Sequence, residues 1–133
     1  MSTIFEKIAN KELPAKIIYE DDEYMAFLDL SQATKGHTLV IPKSATESVL
    51  TASSETVARV NQIAQEIAKV FVNDLGAKGV NILSNANPVA GQTVDHYHVH
   101  VIPRYDEKEL QFKHIEKNYD IDEVFKEIIK AFK

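Results

Sequence analysis

Three of the five histidines in this 133-residue chain fall at alternate positions, in the run His96-Tyr97-His98-Val99-His100-Val101-Ile102-Pro103. In a strand, alternate residues share a face, so His96, His98 and His100 would form a row with neighbours ~6.6–7 Å apart. Tyr97, Val99 and Val101 would face the other way, and Pro103, which lacks an N–H, would end the ladder. Three readings compete for such a row. It is a solvated polar face, although exposed strands seldom choose His three times over Thr, Lys or Glu. It is a metal site, since alternate strand histidines can share a zinc ion, given a further ligand and a carboxylate partner. Or it is a nucleophile with two helpers. A neutral imidazole near pH 7 can attack phosphorus, form a phosphoramidate and release it to water, while its neighbours fix its tautomer and donate to phosphate oxygens.

The residues leading into the row favour the third reading. Asn85-Ala86-Asn87-Pro88-Val89-Ala90-Gly91-Gln92-Thr93-Val94 is a polar loop. Gly91 allows a ligand to approach the backbone closely. Gln92 and Thr93 offer neutral donors suited to phosphate oxygens. Taken singly, each of these is an ordinary turn residue. No Gly-rich loop ending in Lys-Ser/Thr is present, so a metal-cradled phosphate site of that kind has no support.

The elements that must position these residues can be read from periodicity. Thr3 with Glu6 has capping-box spacing and predicts a short helix over about 4–10. Residues 16–20 and 24–30 read as strands joined by the acidic turn Asp21-Asp22-Glu23, a hairpin without glycine. A third strand is expected from His37 to Ile41, stopping at Pro42. Val57, Val60, Ile63, Ala64, Ile67, Val70 and Phe71 fit one face of a helix, with Ser53 or Ser54 at its start and Gly76 at its exit. Strands at 79–84 and 96–102 follow. Asp120 and Glu123 open a last helix with Val124, Phe125, Ile128, Ile129 and Phe132 on one face. The order predicts an α+β fold with a mostly antiparallel sheet.

Composition narrows the function classes. The formal net charge of -5 argues against a broad nucleic-acid-binding face. The absence of cysteine removes disulfides, thiolate catalysis and cysteine zinc sites. No apolar run approaches a membrane span and the first residues lack a signal-peptide core, so a cytoplasmic protein is the default expectation.

Gly91-Gln92-Thr93-Val94 followed by His96-x-His98-x-His100 and Val101-Ile102-Pro103-Arg104 resembles the signature of the histidine-triad (HIT) superfamily. So does Ala26-Phe27-Leu28-Asp29-Leu30 followed by Lys35-Gly36-His37-Thr38-Leu39-Val40-Ile41-Pro42-Lys43. The resemblance covers about residues 3–106 and is nearest to small bacterial HIT proteins, between the Hint-like and Fhit-like groups. It implies a HIT domain over 1–106, a five-stranded antiparallel sheet with flanking helices, and a helix-bearing extension over 107–133 within the same globular unit. It also implies a homodimer, a small nucleotide as substrate, and hydrolysis or transfer at its α-phosphate without a cofactor.

The resemblance assigns His98 as the nucleophile, His100 to the phosphate and His96 to orienting its neighbours, with His37 a fourth histidine nearby. Asp29 would bind the ribose hydroxyls. Asn85, Gln92 and Thr93 would contact phosphate or leaving group, and Leu28 and Leu30 would wall the base pocket. Many bacterial relatives bind structural zinc through Cys-x-x-Cys and a later histidine. Here Thr3, Glu6 and Ala45 stand at those places, so no structural zinc is expected. A nucleotide-binding regulatory module with little turnover and a metal-dependent hydrolase remain the alternatives.

Overall fold

The structure, a computed structural model, describes residues 2–132. Five strands, β1 (Ile17–Glu20), β2 (Tyr24–Leu28), β3 (Thr38–Pro42), β4 (Gly79–Leu83) and β5 (Val99–Arg104), form one antiparallel sheet in the order β1-β2-β3-β5-β4. Three helices accompany it: α1 (Ile4–Ala9), α2 (Ser54–Asp74) and α3 (Ile121–Ala131). This is the expected α+β fold. Among the described residues no helix is long and apolar enough to cross a membrane.

The central strands are buried on both faces. On β2, Tyr24 and Ala26 turn toward α2, where they meet Val60, Ile63, Ala64, Ile67 and Phe71. Met25 and Phe27, one residue out of phase, turn to the opposite face and pack with Phe5, Ile8 and Ala9 of α1. Val40 of β3 and Val99 and Val101 of β5 join the α2 side, while Leu39 and Ile41 join the α1 side. The period of two therefore sends the β5 valines to α2 and leaves His100 on the face that α1 covers.

Local chemistry explains most boundaries. The Thr3–Glu6 capping box forms. Ser53 caps α2 by accepting from the Thr56 amide, and Asp120 caps α3 by accepting from the Asp122 and Glu123 amides. The glycine-free hairpin closes because Asp21 Oδ1 accepts from the Glu23 and Tyr24 amides, a side-chain turn that needs no positive φ.

The bounds of three strands differ from the sequence reading. β2 ends at Leu28 rather than continuing to Leu30. β3 runs on to include Pro42, and β5 starts at Val99 and includes Pro103. Both prolines fit because they pair with a strand on one side only. Pro42 lies opposite Tyr24 of β2, yet its carbonyl accepts from His96 on the other side. Pro103 lies opposite Val80 of β4, yet its carbonyl accepts from Thr34 Oγ1. In an antiparallel strand a residue's N and O point to the same side, so neither missing N–H removes a ladder bond.

Residues 107–120 carry no helix or strand. The apolar residues of α3 are largely uncovered: Phe125 is 62% and Phe132 85% exposed.

Candidate active site

His98 and His100 sit side by side, with ring centroids 5.1 Å apart. Phe5 of α1 packs edge-on against His98 at 5.0 Å and against His96 at 5.9 Å. His37, at the entry to β3, lies 5.1 Å from His100 between ring centroids. The evenly spaced row of three expected from a strand over 96–102 is not what forms. His96 precedes β5, and the next amide, Tyr97 N–H, donates to the Thr46 carbonyl instead of a ladder partner. The His96 ring is fully buried, with Nδ1 3.1 Å from Thr3 Oγ1 and Nε2 2.8 Å from the Pro42 carbonyl. Its contribution to His98 comes through its backbone: His98 Nδ1 lies 2.6 Å from the His96 carbonyl oxygen.

These partners assign the tautomers, because a carbonyl only accepts and an amide N–H only donates. His98 Nδ1 must carry the proton it gives to the His96 carbonyl, so Nε2 holds the lone pair. The Ala33 amide donates to His37 Nδ1 at 3.2 Å, so the proton of neutral His37 is on Nε2. His37 Nε2 is 2.9 Å from His100 Nδ1 and donates to it, which leaves the His100 proton on Nε2. The cluster therefore presents an acceptor nitrogen on His98 beside a donor nitrogen on His100. That pairing suits a nucleophile next to a group that binds the oxygen of its target.

Burial disfavours the charged form of His96, His98 and His100. Burial lowers the pKa of His96 and of His98. His100 is pushed down to about 4, first by burial and then by the charges of His98 and His37, with Asp29 opposing. Near neutral pH the lowered pKa of His98 leaves its ring a lone pair, which a nucleophile requires.

The remaining expected residues divide. Asp29 follows β2 and belongs to the cluster: Oδ2 lies 3.7 Å from His37 Nε2, and Oδ1 accepts from the Ser31 amide. Leu28 is half-buried at the end of β2, while Leu30 is 91% exposed. Gln92 is buried and its amide is occupied: Nε2 donates to the Glu47 and Val94 carbonyls, and Oε1 accepts from the Asn87 amide. It pins the loop rather than offering a free donor. Gly91 adopts φ 98, and the Asn85 side chain lies against it. Thr93 is exposed.

Several contributors escaped the sequence reading. The Ala33 amide has no sequence signal at all. Thr3 was visible as a helix cap and as the residue at a zinc-cysteine place of relatives, not as a partner of His96, and Phe5 only as part of a short helix. Gly36 stands out in the sequence only as part of the family motif; its φ of 101 and the Pro103 ring, 3.2 Å from where a Cβ would stand, leave little room for any other residue. Gln32 closes the same loop, donating to the Asp29 and His37 carbonyls and accepting from the Gly36 amide.

Asp29, His37 and His100 bring ligand-type atoms within 4.8 Å of one another. A cation there would have to displace the proton from His37 Nε2. A neutral ring would then carry its proton on Nδ1, facing the Ala33 N–H, donor against donor. The loop thus favours a proton over a metal at this point. Surface grooves of about 540 Å³ beside Asp21 and Arg59 and about 790 Å³ beside Asn81 and Arg104 carry no histidine.

Comparison with known proteins places this arrangement. The model of the HIT domain matches residues 10–107. The chain belongs to the HIT domain family. A HIT-like protein of Methanocaldococcus jannaschii, itself uncharacterized, is 43% identical over 127 residues, covering 94% of this chain and 97% of the relative. The adenosine 5'-monophosphoramidase of Schizosaccharomyces pombe is 35% identical over 108 residues, covering 81% and 78%. The crystal structure of a HIT family protein from Bacillus anthracis superposes with a TM-score of 0.85 at 35% identity, covering 96% and 93%. The HIT fold thus carries the His98–His100 pair at the start of β5 and His37 at the start of β3.

Proposed function

We propose that this HIT protein is a nucleotide hydrolase or transferase acting at the α-phosphate of a nucleoside monophosphate conjugate, with His98 as the nucleophile. The observation that carries the reading is the enforced tautomer of His98, whose Nδ1–H is held by the His96 carbonyl so that Nε2 is free to attack. The Nε2 lone pair forms a bond to phosphorus, and the leaving group departs with the electron pair of its bond to phosphorus and is protonated from solvent. The ring then carries positive charge, stabilised by the same His96 carbonyl. Water attacks phosphorus, the N–P pair returns to Nε2, and the proton of the water passes to solvent. His100 Nε2–H donates to a phosphate oxygen throughout, held in that role by His37.

The phosphoramidase name of the Schizosaccharomyces pombe relative supports a phosphoramidate among the substrates. Asp29 would accept from the ribose hydroxyls, and Leu28 would contribute to the base-pocket wall. Asn85 and Thr93 would lie near the leaving group. No step needs a metal or cofactor. A homodimer in the cytoplasm is part of the same reading, supported by the uncovered face of α3.

The test is turnover of an AMP phosphoramidate and a diadenosine polyphosphate by the parent and by His98→Asn. The variant should lose at least ~10³-fold in turnover while nucleotide affinity changes little. Mass spectrometry after an acid-free quench should find a nucleotidyl adduct on His98 of the parent. Parent-rate turnover by His98→Asn would end the mechanism. Nucleotide binding by a parent with neither turnover nor adduct would favour the regulatory module.

A further inference from the structure

Helix α1 is tied to the histidine cluster by a hydroxyl that serves two purposes. Thr3 Oγ1 accepts from the Glu6 amide at 3.1 Å, which caps the helix, and the same oxygen lies 3.1 Å from His96 Nδ1. The second contact has a determined direction. His96 Nε2 must donate to the Pro42 carbonyl, so Nδ1 of the neutral ring holds a lone pair and Thr3 O–H donates to it. The ring has no access to solvent that could replace this donor. The carbonyl of His96 in turn accepts the His98 Nδ1–H, and Phe5, two residues after Thr3, packs against both rings. One continuous set of contacts runs from the first residues of the chain to the nitrogen opposite the attacking one.

We propose that Thr3 is a positioning residue: its hydroxyl fixes the tautomer and orientation of His96, and so aims the carbonyl that holds the His98 tautomer. This rests on the reading of His98 as nucleophile. If Nδ1 of His96 faced an acceptor instead, the ring would have to bind a second proton or give up its bond to Pro42. Either change moves the backbone segment that carries the carbonyl. The groups facing this ring are Glu6 on α1, the Pro42 carbonyl on β3 and His98 along the chain.

Capping and donation can be separated by substitution. Thr3→Ser keeps both, Thr3→Asp keeps a strong helix cap but presents only an acceptor to His96, and Thr3→Val removes both. The readouts are the ¹⁵N resonances of the His96 and His98 rings, and kcat and KM for an AMP phosphoramidate. Thr3→Ser should match the parent in all of them. Thr3→Asp should move His96 toward a doubly protonated ring, shift the His98 Nδ1 resonance and lower kcat by roughly 10- to 100-fold, with KM within about 2-fold of the parent. Thr3→Val should shift the same resonances and lower kcat as well. Parent-like His96 and His98 resonances in both Thr3→Asp and Thr3→Val would overturn the proposal, as would shifted resonances with parent kcat. The His98 resonance needs no turnover, and failure of the nucleophile assignment shows separately, as parent-rate turnover by His98→Asn.

Discussion

Replacing His100 with glutamine and lowering the pH perturb the same ring from two directions. Burial and the neighbouring His98 and His37 hold the His100 pKa at about 4, against an ordinary 6.5. As pH falls below about 6.5 the unfolded chain takes up a proton at this residue, while the folded protein does not until about pH 4. Between those values the unfolded state binds more protons, so stability falls as pH falls. The loss is absent above about pH 6.5 and complete below about pH 4. Each unit is worth 1.36 kcal/mol, so the whole window amounts to ~3 kcal/mol, and about 2–3 kcal/mol of it is lost by pH 4.5. Glutamine cannot titrate. Urea unfolding of both proteins at about pH 7.5 and about pH 4.5, with equal m-values, isolates this share. The parent should lose about 2–3 kcal/mol more than His100→Gln across the interval, whatever the variant costs at the higher pH. Equal losses in the two proteins would refute the claim that the folded state keeps this ring unprotonated.

Phe5→Ala should destabilise the fold by about 3–5 kcal/mol, because Phe5 is buried against Phe27, His96 and His98, and urea unfolding at neutral pH would measure it. Asp29→Ala should weaken binding of ribonucleotides more than of deoxyribonucleotides, since a carboxylate accepts from both ribose hydroxyls; calorimetry giving equal losses would count against the ribose assignment. Turnover should survive EDTA, because His37 keeps its proton where a cation would need its lone pair; loss of activity restored by zinc would reverse that view. Light scattering at micromolar concentration should give about twice the 15.0 kDa chain mass, and a mass of one chain would contradict the homodimer.

The parts of this molecule that depend on local rules were legible in the sequence. The helix caps at Thr3, Ser53 and Asp120 involve residues three or fewer positions apart, and each formed. The α2 face followed its period, and so did the opposed sides of β5 at Val99, His100 and Val101. What failed was decided by partners distant in sequence. Pro103 reads as a strand stop until Thr34, 69 residues away, is seen to occupy its carbonyl. His96 reads as a third member of a row until Thr3 and Pro42 claim both its nitrogens. The pairing of His37 with His100 joins positions 63 apart, and the residue spacing carries no trace of it; only the family resemblance placed them together. Gln92 looked like a free donor because an amide's partners, here the Glu47 and Val94 carbonyls, are invisible until the loop is folded.

The strand order has a consequence for assembly. Of the five described strands β5 is synthesised last, yet it lies between β3 and β4, pairing with both. A nascent chain that stops before residue 99 leaves the inner edge of β3 unpaired, with α2 able to pack on β2 and β3 but β4 joined to no strand. Closing that gap requires contacts between segments some 60 residues apart, a non-local step that is slow and exposes an open strand edge while it waits. The segment that closes the gap also carries His98 and His100. Completion of the sheet and assembly of the His37–His98–His100 cluster are therefore one event.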